Sequence, residues 1–61
     1  MYSKLKGLMM ENNFTQNQMA KILGISVSTF NQKINGKSDF TIQEAKKIAL
    51  LFKKEVDVIF R

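Results

Sequence analysis

The spacing of the apolar residues is the feature that most constrains the fold of this chain. They recur at intervals of three and four from end to end, which matches one face of an α-helix and not the alternation of a strand. These positions are Leu5, Leu8, Met9, Met19, Ala20, Leu23, Phe30, Ile34, Ile42, Ala45, Ile48, Ala49, Phe52, Val56, Ile59 and Phe60. The pattern predicts an all-α fold with helices near 3–12, 16–23, 27–35, 42–52 and 56–60, each boundary being good to about 2–4 residues.

Three of these helices begin at side chains that can accept hydrogen bonds from the first turn. Thr15 with Gln18, and Thr41 with Glu44, have the three-residue spacing of a capping box. Ser26 is expected to cap the third helix without a complete box. The starts of three helices are therefore specified by local chemistry.

Two glycines are expected to end the second and third helices. Gly24 and Gly36 each follow a predicted helix, where a left-handed residue stops the helix at little steric cost. The chain has no proline and no low-complexity segment, and its predicted linkers are short. Residues 1–61 are therefore expected to form a single domain.

The composition excludes several ways of stabilising so small a domain. The 61 residues include neither Cys nor His, so no disulfide is possible and the usual zinc ligands are missing. We expect no metal and no cofactor, and no small-molecule ligand is evident. No apolar run is long enough to span a bilayer and no signal-peptide layout is present, so a cytoplasmic protein is expected. The net charge of +5 and a pI near 9.8 favour a polyanionic partner.

Residues 16–35 carry the pattern of a helix-turn-helix. Only three residues, 24–26, join the second and third predicted helices, and a short glycine-containing turn of this kind is typical of the motif. Ala20 is small enough to let the third helix approach closely, while Ile25 and Phe30 are expected to fill the angle between the two helices. The alternative is that Ala20 and Gly24 are simply good helix and cap residues.

The stretch TQNQMAKILGISVSTFNQKINGK, residues 15–37, resembles the core of the lambda-repressor-like (Cro/C-repressor, XRE-type) DNA-binding domains. Gln16 matches the glutamine that starts the family's second helix, and residues 23–26 match its Leu-Gly-Val-Ser turn. Residues 48–60, IALLFKKEVDVIF, resemble the closing helices. The resemblance implies a compact five-helix domain that binds a double-stranded DNA operator sequence-specifically. It also implies a phage or prophage-type transcriptional regulator, a repressor or Cro-like protein associated with the nucleoid of a bacterial host.

Four positions depart from the family pattern. Lys33 and Ile34 stand where many members have a bulky apolar residue and a glutamate, which suggests a different seat for the third helix. Lys53 and Glu55 stand where many have glycine and serine. The missing glycine makes the entry to the last helix less well specified.

The third helix contains the residues expected to contact bases. Residues 25–32 carry no charge although the chain is basic, and a helix in the major groove needs only amides, hydroxyls and small apolar groups. Phe30 and Ile34 are expected to face the core. The candidate base contacts on the outer arc are Val27, Ser28, Asn31 and Gln32. Gln32 has the bidentate geometry for adenine and Val27 suits a thymine methyl; the resemblance assigns Val27, Ser28 and Gln32 to base-contacting positions.

A second set of residues is expected to contact phosphates. Gln16 can present its amide beside the backbone N–H groups of a helix N-terminus, and it can also brace the third helix. The other candidates are Lys33, Asn35, Lys37 and Ser38. The alternative for Asn35 is a C-terminal helix residue before glycine, and the alternative for Lys37 is a solvated lysine. Lys4 and Lys6 can reach phosphate only if the first helix approaches the DNA backbone.

The C-terminal end carries more apolar surface than a small monomer core obviously needs. These residues are Leu50, Leu51, Val58 and Phe60, and we expect them to form a homodimer interface, at least on DNA. Such domains usually pair across a two-fold axis to bind half-sites about 34–36 Å apart. The alternative is that the four residues complete the core.

Two other classes of function are alternatives to DNA binding. A small antirepressor or protein-interaction module could use the same helices to bind a partner protein, which the neutral third helix would suit. An enzyme is disfavoured, because the chain has no His, no Cys and no glycine-rich phosphate loop, and its aspartates are isolated.

Overall fold

The computed structural model describes residues 2–60, and these residues fold into five helices without a β-strand. The helices are α1 Ser3–Glu11, α2 Gln16–Leu23, α3 Val27–Ile34, α4 Ile42–Phe52 and α5 Val56–Ile59. The predicted all-α class is confirmed, and α2 and α4 have the predicted bounds. Helices α1, α3 and α5 each end one residue earlier than predicted, because Asn12, Asn35 and Phe60 adopt turn conformations with ψ of 8°, 3° and 20°.

The predicted caps form at the starts of the three central helices. The Thr15 Oγ1 accepts a hydrogen bond from the backbone N–H of Gln18 at 3.2 Å. The side-chain Oε1 of Gln18 accepts one from the backbone N–H of Thr15 at 2.9 Å. Thr41 and Glu44 repeat this box with distances of 3.1 and 2.9 Å. Ser26 caps α3 by accepting from the amide of Thr29 at 3.1 Å. Each cap satisfies N–H groups that would otherwise lack partners in the first helical turn.

Helices α1 to α4 all end at a residue with a left-handed backbone. Gly24 and Gly36, with φ of 72° and 83°, have the predicted role. Asn13 and Lys53 occupy the equivalent places after α1 and α4, with φ of 60° and 55°. The amide of the following residue then donates back into the helix, as from Lys54 to the Ala49 carbonyl at 3.0 Å. The entry to α5 therefore forms without the family's glycine.

The core receives side chains from all five helices. Its buried members are Leu5, Met9, Met19, Ala20, Leu23, Phe30, Ile34, Ile48, Ala49, Phe52 and Ile59. No polar or charged residue among those described is buried. Burial of this apolar face supplies the main driving force for folding, at roughly 25 cal/mol per Å² removed from water.

An aromatic cluster joins the two ends of the described chain to its middle. The Phe40 ring lies 5.2 Å from Tyr2, 5.5 Å from Phe60 and 5.9 Å from Phe30, all with edge-to-face geometry. Tyr2 and Phe60 are themselves 5.4 Å apart. The Tyr2 amide also donates to the Ile34 carbonyl at 3.4 Å, which places the start of α1 beside the end of α3.

Candidate nucleic-acid interface

The turn between α2 and α3 is built as the helix-turn-helix pattern predicts. Gly24 has a left-handed backbone. Its amide donates to the Lys21 carbonyl at 3.2 Å, and the Ile25 amide donates to the Ala20 carbonyl at 3.0 Å. These bonds satisfy the last carbonyls of α2 and turn the chain within three residues. Ala20 is buried, at 2% exposure, as a member of the core. The short turn and the small side chain together hold α3 against α2.

Helix α3 has one buried face and one polar face. Phe30 and Ile34 are buried, at 0% and 1% exposure. The four residues predicted to face outward are all exposed: Val27, Ser28, Asn31 and Gln32. The predicted orientation of α3 is therefore correct, and its free face is neutral and rich in hydrogen-bonding groups.

A chain of hydrogen-bonded side chains runs along this surface, and we call it the amide relay: Gln16, Asn31, Asn35 and Lys6. The Asn31 Nδ2 donates to the Gln16 Oε1 at 3.2 Å, so Gln16 braces α3 as predicted. The Asn35 Nδ2 donates to the Asn31 Oδ1 at 3.2 Å and to its backbone carbonyl at 2.9 Å. The Lys6 Nζ donates to the Asn35 Oδ1 at 3.2 Å. The relay thus connects α2, α3 and α1.

The segment after α3 folds back onto the last turn of that helix. The amides of Lys37 and Ser38 both donate to the Gln32 carbonyl, at 2.9 and 3.4 Å. Lys37 is exposed and Ser38 is half-buried. Both residues therefore lie at the C-terminal end of the exposed face of α3.

Lys33, which is predicted to contact phosphate, is paired with a residue of α4. Its ammonium pairs with the Glu44 carboxylate, and both side chains are only 12% exposed. It also lies 6.0 Å from the centre of the Phe40 ring. The pair joins α3 to α4. The positive charge of Lys33 is therefore neutralised by a carboxylate of the protein itself.

The environment of Glu44 stabilises its ionised form. Burial raises the pKa of Glu44, but this effect is outweighed by the hydrogen bond from Lys33, the Thr41 amide, the positive charge of Lys33 and the Thr41 hydroxyl. Together they hold the pKa below its ordinary value. Glu44 therefore closes the capping box of α4 and neutralises Lys33 with the same carboxylate.

The four apolar residues proposed for a dimer interface divide into two pairs. Leu50 and Val58 are 80% and 48% exposed. Leu51 and Phe60 are half-buried and pack against the core, Phe60 through the aromatic cluster. Leu51 and Phe60 therefore contribute in part to the core, which is the alternative for these two residues, while Leu50 and Val58 leave apolar surface exposed.

Residues 2–60 lack two further features. No helix there has the length and apolar character needed to cross a membrane. No group of three or more His, Cys, Asp or Glu side chains there could hold a metal ion.

The sequence signal for the amide relay was incomplete. Asn31 and Asn35 are four residues apart and so share a helix face, which the sequence makes visible. Lys6 is 29 residues from Asn35, and Gln16 is 15 from Asn31. Only the packing of α1 and α2 against α3 brings these ends together.

Comparison with known proteins assigns the chain to a family. A family model described as helix-turn-helix matches residues 5–59, which is nearly the whole chain. No curated protein and no solved structure gives a significant match. The matched region includes the turn at Gly24, the exposed face of α3 and the closing helices. The chain therefore belongs to the lambda-repressor-like, or XRE-type, helix-turn-helix family of DNA-binding regulators.

Proposed function

We propose that the protein is a phage or prophage-type transcriptional regulator that inserts α3 into the major groove of its operator. One observation carries the docking of α3: this helix buries Phe30 and Ile34 while its other face exposes neutral side chains that can hydrogen bond. Major-groove base edges present donors, acceptors and thymine methyls, which such side chains match without charge.

Three residues are proposed to contact bases. Val27 and Ser28 lie in the first turn of α3, the end that enters the groove in helix-turn-helix docking, and Val27 is 41% exposed. Gln32 lies one turn further along, and its amide can bond adenine N6 and N7 together. Its side chain is exposed. Asn31 differs because its amide is already bonded within the protein.

Phosphate contacts are proposed on both sides of α3. Gln16 is the first residue of α2, where backbone N–H groups and the helix dipole favour an anion. Lys37 and Ser38 follow α3 on the side of its C-terminus. Lys33 is left out because it pairs with Glu44. The net charge of +5 supports the same polyanionic partner without locating it.

Selection of duplexes from a random pool, followed by gel-shift titration of the enriched sequence, tests the proposal. We expect a single enriched site with affinity that falls steeply as salt rises, by a slope of about −0.9 for each phosphate contacted. No enrichment at any salt would contradict it and would favour the alternative that the same helices bind a partner protein.

Substitution of Gln32 tests the orientation of α3. We expect Gln32→Ala to lose about 1–3 kcal/mol of binding free energy on the selected site and to relax the preference at one base pair. Gln43→Ala is the matched control, since Gln43 is an equally exposed amide on α4. Equal effects of the two substitutions would exclude base contact by Gln32.

Substitution of Lys37 tests the phosphate contacts. Lys37→Ala should weaken binding to the selected and unrelated duplexes alike and reduce the salt slope by about 1. Lys47→Ala removes the same charge from the exposed side of α4. A loss confined to the selected site would mean that Lys37 contacts a base.

We also propose that the protein binds DNA as a homodimer through Leu50 and Val58. Leu50 lies in an open groove with charges of both signs, Lys46, Lys53, Lys54, Glu55 and Asp57. Two copies related by a two-fold axis can therefore pair apolar with apolar and basic with acidic side chains. Sedimentation of the protein with a two-half-site duplex should give two copies for each duplex, and Leu50→Asn should reduce this to one. A wild-type complex with one copy would exclude the dimer.

A further inference from the structure

Every side-chain polar atom of the two central residues of the amide relay makes a hydrogen bond within the protein. A side-chain amide has two N–H donors and a carbonyl oxygen with two lone pairs. The Asn35 Nδ2 donates to both oxygens of Asn31, and its Oδ1 accepts from Lys6. The Asn31 Oδ1 accepts from Asn35 while its Nδ2 donates to Gln16. The polar atoms of both asparagines are thus directed mainly at protein partners.

The two end residues of the relay, Gln16 and Lys6, each keep a hydrogen-bond donor that can contact a ligand. The Gln16 Oε1 faces Asn31, so the amide nitrogen of Gln16 is turned the other way and can donate to a ligand. An ammonium has three donors, and Lys6 directs one of them to the Asn35 Oδ1. Each end of the relay therefore carries a donor that lies next to a protein partner, one on α2 and one on α1.

We propose that Asn31 and Asn35 are positioning residues that hold two phosphate donors, Gln16 on α2 and Lys6 on α1, along one side of α3. Lys6 then becomes a DNA contact, and α1 becomes part of the interface. This inference rests on the proposed docking of α3 on DNA. Donors held in place before binding lose less side-chain entropy on binding, and this gain applies to every DNA sequence equally.

The relay can be tested first without DNA. The side-chain amide resonances of Asn31, Asn35 and Gln16 report on their hydrogen bonds in solution. Lys6→Met removes the ammonium but keeps most of the aliphatic stem, and it should shift the Asn35 amide resonances. Lys4→Met is the matched control: Lys4 lies on the same helix, beside Gly7, Glu11 and Val58 and not beside Asn35. Equal spectra for the two variants would overturn the relay.

The phosphate role of Lys6 is tested by titrating the selected duplex and an unrelated duplex at several salt concentrations. Lys6→Met should weaken both complexes on the order of tenfold at low salt and reduce the salt slope by about 0.9. Lys4→Met should leave the slope close to that of the wild type. Equal slopes for the two variants would overturn the contact.

The positioning role of Asn31 makes a different prediction from base contact. Asn31→Ala should weaken both duplexes by a similar factor and leave the selected sequence unchanged. Its effect should also be smaller in the Lys6→Met background than in the wild type, because residues of one network are not additive. A changed preference at one base pair, with an unchanged salt slope, would make Asn31 a base contact and overturn its positioning role.

These outcomes separate the inference from the proposed function. Failure of the wild type to bind any duplex would overturn both the docking of α3 and the phosphate role of Lys6. Binding by the wild type together with identical behaviour of Lys6→Met and Lys4→Met would overturn the inference alone.

Discussion

At the scale of single residues, Lys53 is the clearest departure from a local preference. Its φ of 55° lies in the left-handed region, which costs an L-residue with a side chain roughly 1–2 kcal/mol. The structure requires this conformation because the Lys53 and Lys54 amides donate to the Leu50 and Ala49 carbonyls at the end of α4. Glycine would meet the same requirement without the steric cost.

We therefore expect Lys53→Gly to stabilise the protein by about 0.5–1 kcal/mol, since the relief of strain exceeds the greater entropy lost by glycine. For a domain of this size that corresponds to a rise in the midpoint of thermal unfolding of a few degrees, at about 4–8 °C for each kcal/mol. Lys54→Gly removes the same charge at the next position, which is not left-handed. A rise of equal size in this control would mean that charge, and not the backbone, is the cause.

Glu44 provides a second prediction at this scale, in the pH dependence of stability. Its pKa is lower in the folded protein than its ordinary value, so its contribution is complete above the unfolded pKa of about 4.5 and is lost as pH falls through the folded pKa. At pH 7, Glu44→Gln should cost about 1 kcal/mol, because a neutral amide replaces a charged acceptor for Lys33.

Chemical denaturation between pH 7 and pH 3 measures this difference. The free energies of unfolding of the wild type and Glu44→Gln should converge below about pH 4.5. Glu11→Gln, at an exposed position on α1, corrects for the general effect of removing a carboxylate. A difference that stays constant over the whole range would show that the ion pair with Lys33 does not cause the loss.

At the scale of the helices, α1 is the weakest of the four longer ones by local criteria. It begins without a side-chain cap and contains Gly7, whereas α2 and α4 begin with capping boxes. A Cβ added at Gly7 would meet no atom within 4 Å. The position is helical, so glycine gives no conformational advantage there and loses more backbone entropy than alanine.

Gly7→Ala should accordingly stabilise the protein by about 0.5–1 kcal/mol, measured by thermal or denaturant unfolding. The same substitution at Gly24 also meets open space, but φ there is 72°. Gly24→Ala should therefore cost about 1–2 kcal/mol from backbone strain alone. Changes of the same sign in the two variants would contradict the contrast between helix propensity at Gly7 and backbone strain at Gly24.

At the scale of the whole molecule, the aromatic cluster connects segments that are distant along the chain. Phe40 lies in the connection between α3 and α4, and its ring contacts Tyr2 and Phe60, which are at opposite ends of the described chain. Edge-to-face pairs of this kind add about 0.5–1.5 kcal/mol to the burial of their area. The cluster therefore fixes α1 and α5 against the rest of the domain.

Phe60→Ala should lower the free energy of unfolding by about 2–3 kcal/mol, as expected for a half-buried aromatic side chain. Leu50→Asn should change it by less than about 0.5 kcal/mol, because Leu50 is 80% exposed. Denaturant unfolding at low protein concentration, where the monomer predominates, measures both. Equal losses would mean that Leu50 also stabilises the monomer.

The sequence by itself determined the helices, their caps and the buried face of α3, because these depend on interactions between residues three or four apart. Thr15 with Gln18, Thr41 with Glu44, and Phe30 with Ile34 are all of this kind. Their partners are close along the chain in any fold, so spacing and side-chain chemistry were sufficient to predict them.

Only the tertiary structure decided the partners of residues whose contacts cross between helices. Lys33 is a candidate phosphate contact by its place in the sequence, but it meets Glu44 eleven residues away, and Lys6 meets Asn35 across 29 residues. Phe60 fits both an apolar helix face and a C-terminal surface by its spacing, and in the structure it packs on Tyr2 and Phe40. Such pairs depend on how the helices pack together, and that packing minimises the exposed apolar area of the whole chain, which no local pattern contains.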